Sequence, residues 1–264
     1  MADTESTVLV DVDAEARVAT ITLNRPDALN SLTVPMKQAL LASFRKLDRD
    51  AGVRAVILTG AGRAFCAGQD LKERLEPDAA PLGVEVRERY NPIIRAMRGS
   101  PKPIVGAING VAAGAGAALA LACDIRIAAE GASFTLAFGR VGLTPDSGAT
   151  WFLPRLVGDA RAAEMALLNE PVRAEEAARI GLIGRVVTPD QLLAEARAAA
   201  AKLAAGAPKA IALTKRALNA SWDRDLDAAL DYEAHIQDLA GRTNDHREGM
   251  AAFLEKRPPN FTGE

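Results

Sequence analysis

From Ile104 to Cys123 the chain carries no charged residue, and that stretch leaves two structural options. It either crosses a membrane, for which about 20 apolar residues suffice, or lies buried inside a folded body. Gly110 and Gly114 have the spacing of a transmembrane dimer face. The rest argues for burial. The run is mostly Ala and Gly, which lack the insertion energy of Leu, Asn109 interrupts it, and Asp124 and Arg126 follow with no aromatic anchor. It reads as a buried strand, Pro103 to Asn109, leading into a helix of small residues. A strand apolar on both faces belongs to a parallel sheet covered on both sides, so the expected class is α/β.

The flanking sequence agrees. Val18 to Leu23, Arg54 to Thr59, Ile125 to Ala128 and Ile183 to Val187 are further strand candidates rich in β-branched residues. Between them, Val34 to Asp48 sets Met36, Leu40, Leu41, Phe44 and Leu47 at helical spacing, and Arg87 to Met97 reads as another helix. Strand alternating with helix is the pattern of parallel β/α units. After Pro189-Asp190 the pattern changes: residues 191–204, 207–220 and 226–256 are dominated by Ala, Leu, Arg and Glu, and Pro258-Pro259 ends the last helix. The expected organisation is an α/β core over residues 1–190 and a helical region over 191–264, which packs on that core or on a neighbouring subunit.

Composition narrows the function classes. With 264 residues, 32 Lys and Arg against 34 Asp and Glu, and 4% aromatics, the chain lacks both the positive charge and the stacking surface that nucleic acid requires. Two cysteines, Cys66 and Cys123, do not make a disulfide framework and suit a reducing compartment. The acidic start Met1 to Glu5 lacks the order of a secretory signal. A cytoplasmic protein with no nucleic acid or membrane partner is expected. The isolated His235 and His246 and the two distant cysteines lack metal-ligand spacing.

Four segments could carry chemistry. Gly114-Ala115-Gly116 at a strand-to-helix junction either lets a helix pack closely or leaves free N–H groups for a ligand. As a dinucleotide fingerprint it fails, because Leu119 stands where the third glycine belongs. Ala64 to Lys72 leaves a buried strand through Gly68 and offers backbone donors; Cys66 within it reads as a small buried residue. Leu143 to Gly148 is a turn in which Asp146 or Ser147 caps a helix, or else a site where apolar Val141, Leu143 and Trp151 raise the pKa of Asp146 toward general-base range. Ala252 to Phe261 is a basic helix end.

In order along the chain, Asn24 to Asn30, Phe65 to Leu71, Ala107 to Gly114, Gly142 to Gly148 and Glu248 to Lys256 resemble the motifs of the crotonase family of enoyl-CoA hydratases and isomerases. The resemblance runs from about Val8 to Gly263. It implies a β/α superhelix with a two-sheet core and a C-terminal helical oligomerisation region that forms homotrimers, often paired into hexamers. It also implies that the thioester carbonyl sits between the N–H groups of Gln69 and Ala115. The two water-holding glutamates of the hydratases correspond to Ala118 and Phe138, whereas Asp146 falls where isomerases acting on ring-epoxide thioesters from phenylacetate carry an aspartate. The implied activity is isomerisation of an acyl-CoA, ring epoxide to oxepin or 3-enoyl to 2-enoyl, with Asp146 as base. Hydration and a non-catalytic acyl-CoA-binding role are the alternatives. Implied contacts to the CoA part of the substrate are Arg25, Ala28, Ala67, Asp70, Leu71 and Lys72, with Phe253 and Lys256 from a neighbouring subunit. Asp27, where many relatives are neutral or basic, weakens the first of these loops for phosphate. No separate cofactor and no metal are expected.

Overall fold

The computed structural model describes residues 6–264; the acidic start, Met1 to Glu5, lies outside them. The chain opens with β1 (Val8–Asp13) and β2 (Val18–Leu23), an antiparallel hairpin, followed by α1 (Val34–Arg49) and β3 (Ala55–Gly60). Next come β4 (Ala64–Cys66), α2 (Leu71–Arg74), α3 (Leu82–Glu85) and α4 (Asn91–Gly99), the last two joined by a π-helical turn at Val86–Tyr90. Then follow β5 (Ile104–Ile108), β6 (Val111–Ala113), α5 (Ala115–Ala122), β7 (Ile125–Ala129), β8 (Ser133–Thr135), α6 (Ala149–Val157) and α7 (Asp159–Leu168). The remainder is β9 (Val172–Arg173), α8 (Ala174–Arg179), β10 (Arg185–Val187), α9 (Leu192–Ala204), α10 (Pro208–Ala220), α11 (Leu226–Gly241) and α12 (Asn244–Glu255).

The strands form two sheets, β1-β2-β3-β5-β7-β10 and β4-β6-β8-β9. Apart from the β1–β2 hairpin the large sheet is parallel, with Val56 opposite Ile104 and Val105 opposite Ile125. Its inner strands β3 and β5 are apolar on both faces because both are covered. Val56, Leu58 and Ile104 point into one cluster with Met36, Leu40 and Phe44 of α1. Ala55, Ile57, Val105 and Ile127 face the other way, against Leu192, Ala196, Ala200 and Ala204 of α9. Those four recur every fourth residue, and three are alanines, so the helix backbone lies close on the sheet. Each fully buried Leu or Ile contributes about 1.5–3 kcal/mol. α9, the first helix of the C-terminal region, is therefore part of the core. Among the described residues no helix is long and apolar enough to cross a membrane.

Two expectations need correction. The run 226–256 is two helices, broken at Arg242 and Thr243. The Thr243 side chain accepts the His246 N–H at 3.0 Å and starts α12 as an N-cap, which competes with helix continuation. The segment after Asn109, expected to lead straight into a helix, forms β6 first, and β4 lies within the segment Ala64 to Lys72. Strands of three residues are too short for a two-residue period to register.

Candidate active site

β4 and β6 lie side by side and end together, which brings the two glycine-bearing turns into contact. After β4, Gly68 takes φ +93°. On one side of this turn Leu32 N–H donates to Gly68 O at 2.7 Å, and Leu32 O accepts from Asp70 N–H at 3.1 Å. The Gln69 N–H between them makes no hydrogen bond among the described residues. After β6, Gly114 takes φ +53° and its N–H donates to Thr135 O at 2.9 Å. Ala115 then opens α5, and its N–H, in the first helical turn, has no acceptor among the described residues either. The turns abut so closely that a Cβ on Gly68 would lie 2.8 Å from Ala113 O, and one on Gly116 would lie 2.1 Å from Cys66 O. Close packing and free N–H groups, opposed readings of this segment in the sequence, are one arrangement.

Both turns border a cavity of about 320 Å³. Gly68, Gln69, Gly114 and Ala115 form one wall, and Leu82, Val86, Phe138, Val141 and Leu143 supply apolar surface. Asp146 also lines it. The turn before α6 sets that position: Ser147 and Gly148 both have positive φ, +53° and +79°, and Asp146 O accepts the Ala149 N–H at 2.9 Å. No side chain caps α6, so the Asp146 carboxylate is not used as a helix cap. It accepts from the Ser147 hydroxyl at 2.8 Å and has no cationic partner among the described residues. Burial pushes its pKa above the ordinary carboxylate value, and the Ser147 bond works against that rise.

Of the other residues singled out from sequence, Ala67 and Leu71 line the cavity. Arg25 is not part of the cavity lining; it donates to Asp70 at 2.9 Å and to Ser31 O at 2.5 Å. Burial raises the Asp70 carboxyl, but Arg25, the Ser31 hydroxyl and the Lys72 N–H together hold its pKa below the usual value. Asp70 thereby caps α2. Ala28 lies in a 3-10 turn beside Arg25, and Lys72 is exposed. Phe253 and Lys256, at the end of α12, lie outside this cavity, with Phe253 83% exposed. Ala118 is fully buried inside α5, and Phe138 presents a ring to the cavity, so neither position supplies a carboxylate. Trp151 does not line it: its ring stacks on Trp222 at 4.3 Å with Arg155 over it at 4.6 Å. Cys66 is buried and burial pushes its thiol up to about 12, while His235 and His246 are exposed. Among the described residues no three His, Cys, Asp or Glu side chains cluster as a metal site requires.

Sequence reasoning missed a polar corner of the same cavity, formed by Arg74, Glu85 and Tyr90 and backed by Lys37. Lys37 carried a signal: it stands three, four and seven residues before Leu40, Leu41 and Phe44, on the buried face of α1.

Two abutting turns with free N–H groups thus border one cavity in a two-sheet β/α core. The family profile described as enoyl-CoA hydratase/isomerase matches residues 13–264. The chain belongs to that family, the crotonases. It is 47% identical over 253 residues to 1,2-epoxyphenylacetyl-CoA isomerase of Escherichia coli K12, covering 95% of this chain and 97% of the relative. It is 48% identical over 246 residues to a probable enoyl-CoA hydratase of Rhodobacter capsulatus, covering 93% and 95%. Among solved structures, an enoyl-CoA hydratase from Bacillus anthracis superposes with a TM-score of 0.93 at 38% identity, covering 98% of this chain and all of that one.

Proposed function

We propose that this protein is an isomerase of acyl-CoA thioesters. One observation carries the reading: a single carboxylate without a cationic partner, Asp146, shares a cavity with two uncommitted backbone N–H groups. The thioester oxygen accepts from Gln69 and Ala115 N–H. Donors already in place when charge develops are each worth about 3–4 kcal/mol to the barrier. With the carbonyl polarised, Asp146 takes a proton from C2 of a 3-enoyl thioester. The C–H electrons move into the C1–C2 bond and leave a dienolate. Asp146 then returns the proton at C4, the double bond settles between C2 and C3, and no atom is gained or lost. A carboxylate whose pKa is raised by burial suits both steps, since it takes and releases a proton without a large mismatch.

The positions where family hydratases carry their glutamates hold Ala118 and Phe138, so water addition lacks an acid and a base, each worth about a hundredfold. The E. coli relative supports a ring epoxide as the acyl group, with expansion to the oxepin at the same polarised thioester. For the CoA moiety we assign backbone contacts at Ala28, Ala67, Asp70 and Leu71, the Lys72 and Arg25 cations, and Phe253 and Lys256 from a second copy in a trimer.

The test is mass-resolved product analysis after mixing the protein with a 3-enoyl-CoA. A 2-enoyl-CoA of unchanged mass is expected. A product heavier by one water means that hydration proceeds, alone or after isomerisation, and overturns the reading of Ala118 and Phe138; recovery of unchanged 3-enoyl-CoA overturns the isomerase reading. Asp146→Asn should bind the thioester and fail to turn it over, and full activity in that variant removes Asp146 as the base.

A further inference from the structure

Behind Gln69 lies a buried ion pair that the proposed reaction does not use. The Lys37 ammonium on α1 meets the Glu85 carboxylate at the end of α3, and their side chains are 1% and 3% exposed. Arg89, four residues on, holds the second Glu85 oxygen. Removing two charges from water is costly, and apolar side chains of similar size usually serve a fold as well or better. The pair therefore calls for a reason other than stability.

Its placement supplies one. Lys37 Nζ lies 3.1 Å from Gln69 Oε1, and the buried Tyr90 hydroxyl donates to the same oxygen. An amide oxygen has two lone pairs, so both are taken. Gln69 follows Gly68, whose φ of +93° marks a backbone with little intrinsic stiffness. The oxygen of a released glutamine amide is a hydrogen-bond acceptor and can turn to nearby backbone N–H groups. The free groups here are those of Gln69 and Ala115, so a released Oε1 would compete with the substrate carbonyl for them.

We propose that Lys37 and Glu85 are positioning residues for the carbonyl site: Glu85 holds Lys37, and Lys37 with Tyr90 ties down Gln69 Oε1 so that the Gln69 N–H stays aimed into an unobstructed cavity. This rests on the assignment of Gln69 and Ala115 as carbonyl donors. Lys37 touches no reacting atom, and its effect passes through Gln69.

The test is the infrared band of a saturated acyl-CoA, labelled with carbon-13 at the carbonyl, bound to the full chain. Such a ligand cannot isomerise or take up water, so the readout is independent of which reaction the protein catalyses. In the wild type the band should shift to lower wavenumber than in free acyl-CoA. The double variant Lys37→Met with Glu85→Gln removes both charges of the pair and leaves Arg89, which is 31% exposed, to solvent. It should lose most of the shift, with kcat down about tenfold or more and thioester Kd changed less than about threefold. Tyr90→Phe, which keeps the ion pair, should lose part of the shift and carries the same test if the double variant does not fold. A purely structural pair would lower Tm and leave the band unmoved, and a folded variant with the full shift overturns the proposal alone. No shift in the wild type overturns the carbonyl assignment, and the positioning role with it.

Discussion

Asp146 is held half out of water by apolar neighbours, and the direction of its pKa follows from that. Because burial raises the pKa, the acid limb of kcat/KM should lie above the ordinary carboxylate range, with activity falling as pH drops through it. The Ser147 hydroxyl favours the charged form. Ser147→Ala should move the limb to higher pH, and a pH–rate profile reads the shift directly; a limb that stays put or moves down excludes Asp146 as its origin. The same asymmetry has a sign for stability. A group whose folded pKa is raised contributes stability that is present below its unfolded pKa and lost as pH rises through the folded value. At neutral pH the charged Asp146 is thus a burden on the fold. Asp146→Asn should melt no lower than the wild type there, which separates loss of turnover from loss of structure.

At the level of elements, the site depends on how near α5 can come to β4. Gly116 sits in the first turn of α5, where an added Cβ would be 2.1 Å from Cys66 O and 2.7 Å from Cys66 C. Backbone cannot yield as a flexible side chain does. Gly116→Ala should lower stability by about 2–3 kcal/mol in urea unfolding and push the two donors apart, with kcat reduced more than about tenfold. Gly99, at the end of α4 with nothing near its open side, is the matched control, and Gly99→Ala should leave both unchanged within about 1 kcal/mol. Equal effects of the two substitutions would show that close approach at Gly116 is not what matters.

The single chain leaves apolar surface uncovered on its last helices. Leu226 and Leu230 on α11 are 72% and 52% exposed, and Phe253 and Leu254 on α12 are 83% and 79% exposed. Exposed apolar patches of this kind mark surfaces that associate. With the trimer proposed above, Phe253→Asp combined with Leu254→Asp should sediment as monomer and weaken thioester binding, since the second copy would no longer bring Phe253 and Lys256 to the CoA. A variant that remains trimeric assigns the contact to another face.

The long apolar strands, the amphipathic α1 and the alanine-rich helices were legible in the linear order of residues, because burial of one face imposes a period that neighbouring residues record. Gln69, Ala115 and Asp146 were marked out by the resemblance to crotonase motifs, while the glycines before the first two and the Pro-Asp-Ser-Gly turn left their local readings open. The second sheet was implied by that resemblance alone, since a strand as short as β4 or β6 exists only through bonds to partners distant in sequence. Distant partners also decide Trp151, which turns to Trp222, and the clamp on Gln69. Lys37, Glu85 and Tyr90 lie 32, 16 and 21 positions from residue 69. Local pattern records what each residue must do for its own helix or strand. Which buried charges meet, and which N–H groups remain without an acceptor, depends on contacts that form only when the elements pack.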